Sequence, residues 1–310
     1  MPDDPRREHL AIVGTTATGK SALAMALARR RGDVELVSVD SMQVYRGMDV
    51  GTAKPTPAEQ AEVRHHVLDL VDPWEPFDVW AFQQAVRTAL EDITQRRRRA
   101  VLVGGTGLYL RAVIDDLELP GRFPEVAAEL AGDADTAGLH ARLADLDPLA
   151  ATRMEPTNRR RVLRALEVTI GSGRRFSSFG PGLEAYPPTA YDLVGLAMPG
   201  DVVADRIARR YAQQMADGFL DEVRRLAAGP PLSHTAAQAL GYRELLAHLA
   251  GETDLDEALD LAVTRTRQLA RRQRAWFRRD PRITWLDVDD DPLAALPALE
   301  SRAADLWGPR

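Results

Sequence analysis

The sequence predicts an α/β protein: a P-loop-type parallel sheet core flanked by helices, carrying a mostly helical insertion. Three observations point there. Short apolar runs that stop at glycine or aspartate alternate with helix-forming stretches through the first third of the chain. The first such junction is a glycine-bearing loop, Gly14 to Ser21. Strand-like runs then cease after about Leu117 and return only at Tyr191.

The elements follow in order. Leu10 to Val13 reads as a buried strand ending at Gly14. Ser21 to Arg31 is rich in alanine and leucine and closes at Gly32, as a helix does. Val34 to Val39 is a second strand, ending at Asp40. Ser41 to Pro57 is loop-like. Asp78 caps a helix whose apolar positions Phe82, Val86, Leu90 and Ile93 recur at helical spacing. Ala100 to Val103 is a further strand, broken by Gly104 and Gly105. In the middle segment Leu139, Leu143 and Leu146 share a helical face, and Arg160 to Ile170 forms another helix. Tyr191 to Ala197 returns to the sheet. Long helices are expected over Asp201 to Ala228 and Asp256 to Arg279, with a last strand at Ile283 to Val288. The expected division is a core of 1–116 with 189–310 and an insertion of 117–188. Ligands of such a sheet bind at the strands' C-terminal ends.

Composition narrows the chemistry. The chain of 310 residues has no cysteine, which excludes disulfides, a thiolate nucleophile and cysteine-ligated zinc. The N-terminal stretch Met1 to Glu8 is short and charged, and no apolar run approaches membrane-spanning length, so a cytoplasmic protein with no membrane association is expected; a monomer is the expected state. The net charge of −6 argues weakly against nucleic acid, but the charge is segregated. Arg159, Arg160, Arg161, Arg164 and Arg174 face only Glu155 and Glu167 across the middle of the chain. A second run, Arg265 to Arg279, faces only Asp280. Each run is either a phosphate-tracking stripe or a solvated helix face. Lysine occurs only at Lys20 and Lys54, so both are candidates for positions that need a compact point charge.

Gly14-Thr15-Thr16-Ala17-Thr18-Gly19-Lys20-Ser21 matches G-x-x-x-x-G-K-[ST] in full, between a strand and a helix as the motif requires. Its amides form a nest for an anion, and the helix N-terminus adds partial positive charge. Lys20 neutralises a terminal phosphate and the Ser21 hydroxyl can ligand Mg²⁺. By itself this says only that a polyphosphate binds. The next segments are a dense polar loop from Ser38 to Pro55, then His65-His66 with Asp69, Asp72 and Pro73, then Val101 to Tyr109 with its Gly-Gly-Thr. The two histidines lack a third ligand at metal-binding spacing and are assigned to packing.

Taken together these stretches resemble the bacterial tRNA dimethylallyltransferase (isopentenyl-tRNA transferase) family. The likeness covers about residues 10 to 280. It continues through Arg164 to Val168, Ala239-Leu240-Gly241-Tyr242-Arg243-Glu244, and Thr266 to Gln273 with Trp276. The resemblance implies transfer of a dimethylallyl group from dimethylallyl diphosphate to the exocyclic amine of the adenosine 3′ of the anticodon in tRNA, with diphosphate released. It implies Mg²⁺ as cofactor and tRNA as partner. Asp40 then accepts the amine proton and Thr106 contacts the reacting groups, with Gly14 to Ser21 on the diphosphate. Asp40, Ser41, Met42, Gln43 and Thr106 match the family's base-contacting positions. Arg160, Arg161 and Arg164 coincide with its tRNA-contacting segment. Arg46 and Lys54 are further candidates for the phosphate site.

The chain departs from the family at Thr15 (usually proline), Thr18 (usually serine), Ala127 and Gln238, the last two where some members carry arginine. A different cation, with Arg243 as candidate, must then replace the one missing at Gln238. Without the resemblance, Asp40 reads equally as a loop cap and Thr106 as a turn residue. Three rival functions share parts of the pattern: an ATP-dependent small-molecule kinase, an adenylate isopentenyltransferase acting on a free nucleotide, and a nucleotide-gated RNA-binding module with no catalysis.

Overall fold

In a computed structural model, residues 7–309 are described, so Met1 to Arg6 of the charged N-terminal stretch lie outside them. The chain divides into two compact units. One is formed by the stretches up to Ile114 and from Pro188 onward, the other by Asp115–Pro187.

The first unit is built on six strands: β1 (His9–Val13), β2 (Val34–Val39), β3 (His65–His66), β4 (Arg99–Gly104), β5 (Tyr191–Ala197) and β6 (Ile283–Asp287). Their spatial order is β3-β2-β4-β1-β5-β6, and every pairing is parallel. The central strands are buried on both faces rather than alternating, because helices cover both faces of such a sheet, with Glu35, Ser38 and Asp192 as buried polar positions. Leu10, Ile12, Val37, Val101 and Leu102 are fully buried, each side chain contributing about 1.5–3 kcal/mol by leaving water.

Helices α1 (Lys20–Arg31), α2 (Pro57–Glu62), α3 (Val79–Gln95) and α4 (Gly107–Ile114) follow the strands of the first half. Asp78 caps α3 by accepting the Ala81 amide at 3.0 Å, which satisfies one of the unpaired first-turn donors. Phe82, Val86 and Ile93 on that helix are buried. β3 is two residues long, and its histidines lie on the sheet edge. His66 Nε2 meets Glu35 at 2.7 Å and His65 Nδ1 meets the Val63 carbonyl at 2.7 Å.

The second unit is all helical, with α5 (Pro124–Ala131), α6 (Thr136–Leu146), α7 (Pro148–Thr152) and α8 (Arg159–Ser172) around its own core of Leu130, Leu139, Leu143, Val162, Ala165 and Leu166. Leu146 shares the helical face but is 40% exposed, since the helix ends there.

After β5 come α9 (Gly200–Ala216), α10 (Phe219–Ala227), α11 (His234–Ala237), α12 (Tyr242–Leu249), α13 (Leu255–Phe277) and α14 (Leu296–Trp307). The single helix expected over Asp201 to Ala228 is broken. Gly218 adopts φ 93°, a left-handed conformation that glycine accepts without steric cost and that a helix cannot continue through. No helix among the described residues is long and apolar enough to cross a membrane.

Candidate active site

Strand order reverses at β1, which has β4 on one side and β5 on the other. Chains leaving the C-terminal ends of β1, β2 and β4 therefore diverge around a crevice. Each contributes its loop: Gly14 to Gly19 after β1, Asp40 to Gln43 after β2, and Gly105-Thr106 after β4. The crevice opens into a cavity of about 1460 Å³. That exceeds the ~300–1,000 Å³ of an ordinary small-molecule pocket, and leaves room for two reactants.

Of the residues singled out in the sequence, Thr16, Ala17, Gly19, Lys20, Ser21, Asp40, Ser41, Met42, Gln43 and Thr106 all line this cavity. Gly14 (φ 139°), Gly19 (φ 82°) and Ala17 (φ 65°) carry the turns of the loop. Ala17 has no licence for this as a non-glycine residue, but its carbonyl accepts a hydrogen bond from Arg206 Nε at 2.8 Å, which holds it in place. Thr15 and Thr18, the two departures from the family loop, lie buried behind the cradle. The Thr18 hydroxyl donates to the Thr15 carbonyl at 2.9 Å, so neither side chain intrudes on the anion nest.

Lys20 Nζ donates to the same carbonyl at 2.6 Å, folded back across the loop. Burial lowers its pKa to about 8, against the pull of the Asp40 charge, with Arg210 adding to the depression. Burial also raises the pKa of Asp40, while the Met42 amide and the Lys20 charge oppose the rise. Asp40 Oδ1 accepts that amide at 2.8 Å. The Thr106 hydroxyl, immediately before α4, receives the Ser41 amide at 3.4 Å. The β2 and β4 loops thus touch through Thr106 and Ser41, the residue that follows Asp40.

Gln43 is fixed at both ends, donating to the carbonyls of Thr52 and Ala53 at 3.2 Å and receiving the Ser38 hydroxyl at 2.7 Å. The following loop is secured from the other side of the cavity. Glu222, 1% exposed, accepts the amides of Asp49, Val50 and Gly51 at 2.9, 2.8 and 3.1 Å, and the Tyr242 hydroxyl at 2.5 Å. Burial raises the Tyr242 pKa, and the Glu222 charge raises it further, so the hydroxyl stays a donor.

Two expectations are corrected. Lys54 is not a phosphate ligand: its side chain is 3% exposed, pinned by Asp49 at 2.5 Å, Asp69 at 2.6 Å and the Tyr45 carbonyl at 2.8 Å. Arg46 pairs with Asp72 at 3.1 Å and the Leu70 carbonyl at 2.9 Å, and like Lys54 is absent from the cavity wall. Both hold the loop's shape.

The sequence reasoning missed the arginines of α9. Arg206, Arg209 and Arg210 line the cavity, and Arg210 donates to the Thr16 hydroxyl at 2.8 Å. Their spacing of three and four residues puts them on one helical face, and that was the signal available. Arg243 lines the cavity beside Gln238, to which it donates at 3.1 Å, but it is neutralised by Glu244 at 3.0 Å. Arg265 is paired with Glu244 as well, at 2.5 Å. Arg206 and Arg210 are the arginines of α9 that touch the P-loop. From the C-terminal arginine run, Arg265 and Arg272 face the cavity, whereas Arg267 is tied to the Ala204 carbonyl and Arg274 to that of Met198.

In the helical unit, Arg160 and Arg161 are solvent-accessible at the start of α8. Arg164 is half-buried, paired with Glu167 at 2.7 Å and with the carbonyls of Pro120 and Gly121 at 2.8 and 3.0 Å. Arg159 is similarly spent on the carbonyls of Ala131 and Asp133.

The cavity wall is thus strongly cationic, with Asp40 as the single acidic group among the described residues that line it, and suits polyanionic ligands meeting one base. Comparison with known proteins bears on which. Residues 43–280 match the model of the IPP transferase family, and residues 8–72 that of isopentenyl transferases. The tRNA dimethylallyltransferase of Acidothermus cellulolyticus is 47% identical over 303 residues, covering 96% of this chain and 93% of that protein. The crystal structure of the full-length tRNA isopentenylpyrophosphate transferase from Bacillus halodurans is 38% identical with a TM-score of 0.71, covering 97% of each chain. A eukaryotic dimethylallyltransferase solved while acting on tRNA is 26% identical with a TM-score of 0.80, covering 97% of this chain and 79% of that one. This chain belongs to the IPP transferase family, that of the tRNA dimethylallyltransferases.

Proposed function

We propose that this enzyme transfers a dimethylallyl group from dimethylallyl diphosphate to the exocyclic amine of the adenosine on the 3′ side of the anticodon of tRNA. The observation that carries the proposal is the convergence, in one cavity large enough for two reactants, of an anion cradle, the partly buried carboxylate of Asp40 and Thr106. The diphosphate lies in the P-loop nest. As the allylic carbon–oxygen bond breaks, charge builds on the departing diphosphate, and Lys20, Arg210 and the loop amides stabilise it. The adenine amine forms the new nitrogen–carbon bond and becomes acidic in doing so. Asp40 takes that proton. Thr106 stands where the two loops meet and orients the reacting groups. A base splayed from a single-stranded loop costs only a few kcal/mol of unstacking, so it reaches such a cavity readily.

The residues present suit Mg²⁺. Ser21 is exposed in the first turn of α1 and lines the cavity. Its hydroxyl is a hard oxygen donor, and one such ligand suits an ion that keeps most of its water and would be completed by the substrate. Such an ion would supply further charge neutralisation on the diphosphate. Arg160 and Arg161 grip RNA phosphates, and Arg164 braces the helix that presents them.

The decisive assay uses purified protein, Mg²⁺, labelled dimethylallyl diphosphate and an unmodified tRNA reading codons that begin with U, beside a tube with ATP as donor. Label enters tRNA in the first tube. Label absent from tRNA, with ATP consumed in the second, overturns the proposal in favour of a kinase.

The pH profile has a definite sign. Asp40 works deprotonated, so kcat/KM rises with pH through a pKa lifted above the usual carboxylate range of about 4. Lys20 works protonated, so kcat/KM falls through about 8. A profile flat from about pH 7 to about 10 contradicts the Lys20 assignment, because an unshifted lysine titrates only near 10.4.

Removing both arginines at the start of α8 (Arg160→Ala with Arg161→Ala) weakens tRNA binding by roughly 10-fold. It also lowers the slope of log K against log salt by about 1 for each phosphate no longer neutralised. Filter binding across a salt series measures both. An unchanged slope removes these residues from the RNA interface.

A further inference from the structure

Gln273 does something the reaction scheme above leaves unexplained. It sits on α13 and lines the cavity. Its side-chain carbonyl accepts the Thr16 amide at 2.8 Å, and its side-chain amide donates to the Gly105 carbonyl at 2.9 Å. One neutral side chain thus links the P-loop, which cradles the leaving group, to the residue preceding Thr106. Two further features tighten the arrangement. A Cβ at Gly105 would come within 2.6 Å of the Gln273 amide nitrogen and 3.1 Å of the Gly14 carbonyl, so a side chain here would push the Gln273 amide off its bond. Three residues further along the same helical face, the Trp276 ring packs on Gly107, where any Cβ would collide with the indole nitrogen.

We infer that Gln273 is a positioning residue that sets the separation between the diphosphate cradle and Thr106, with Trp276 fixing the start of α4 from the same helix. The inference rests on the transferase reading. Its chemistry is that of proximity. The allylic carbon and the amine must meet within a fraction of an ångström of the productive distance, and an error of about 1 Å costs about 100-fold in rate. A glutamine suits the task because it donates and accepts at once and brings no charge to compete for the diphosphate. Its side-chain carbonyl already occupies the Thr16 amide, so that amide is not offered to the diphosphate and the loss of Gln273 falls on turnover rather than on binding.

The test is Gln273→Leu, which keeps bulk but neither hydrogen bond, set beside Gly105→Ala, which pushes on the far end of the same brace, and the double variant. In the label-transfer assay kcat falls by about 100-fold in each single variant. The double variant is no worse than the worse single one, because both break one linkage. Dissociation constants for inorganic diphosphate and for tRNA stay within about 3-fold of the parent protein. Wild-type kcat in Gln273→Leu, or multiplicative losses in the double variant, overturns the inference. So does a loss of diphosphate affinity that accounts for the whole effect, since Gln273 would then be a part of the cradle. Thermal melts of all three accompany the kinetics: a kcat loss that tracks melting temperature, and recovers on cooling the assay, assigns Gln273 to stability alone and also overturns it. Failure of the parent protein to transfer label is a different result, and counts against the transferase reading instead.

Discussion

Asp40→Asn is expected to lower kcat by about 1,000-fold, within the ~10²–10⁴ range of a positioned general base, while tRNA affinity stays close to that of the parent. Asparagine keeps an oxygen to accept the Met42 amide, which Asp40 now holds at 2.8 Å, so the loop that meets the base retains its shape. What is lost is the acceptor for the amine proton, a deficit of about 4 kcal/mol in the barrier. A second consequence follows from electrostatics. The Asp40 charge is what partly offsets the burial of Lys20, so removing it moves the alkaline limb of the pH profile below about 8. Single-turnover kinetics with pre-bound tRNA separates these outcomes. Turnover within about 10-fold of the parent would assign proton removal to another group.

The second large effect concerns stability. Glu222→Ala strands the buried hydroxyl of Tyr242 and the partly buried amides of Asp49, Val50 and Gly51. Each unsatisfied group costs about 1–3 kcal/mol before water enters, so a net loss of about 3–5 kcal/mol is expected. For a unit of this size that corresponds to a melting temperature lower by about 10 °C. Because Gly51, Thr52 and Ala53 line the cavity, the KM for tRNA rises as well. Glu222→Gln keeps one acceptor and falls between the two. Calorimetry on the three proteins checks this order, and a shift below about 2 °C for Glu222→Ala contradicts it.

The contiguous parts of the site were legible in the sequence and the assembled parts were not. Gly14 to Ser21 announces itself because all its groups come from one turn between a strand and a helix, and local backbone geometry is what the motif encodes. Most of the strands were legible because short apolar-rich runs bounded by glycine or aspartate suit an interior sheet. Arg210 and Gln273 act on Thr16 from 194 and 257 residues away, and no local pattern states which face of α9 or α13 will meet the P-loop. Lys54 shows the opposite failure. Its rarity suggested a partnership with Lys20, yet its task is to neutralise two carboxylates inside a loop, and composition does not distinguish those uses. The pair His65-His66 lies on a strand too short to leave a period, and the break at Gly218 hides in an otherwise unbroken helical pattern, because one left-handed residue leaves the apolar repeat intact.

The strand order also governs how the chain comes into being. β1 leaves the ribosome before both of its neighbours, β4, which ends at Gly104, and β5, which begins at Tyr191. One side of β1 can be paired early, but the other presents bare amides and carbonyls until β5 has been made, with the whole of Asp115–Pro187 synthesised in between. An unpaired apolar edge invites association with other nascent chains. The helical unit has its own buried core and draws on no strand, so it can condense during this interval. The emerging polypeptide then waits for β5 as a half-sheet tethered to an already folded body.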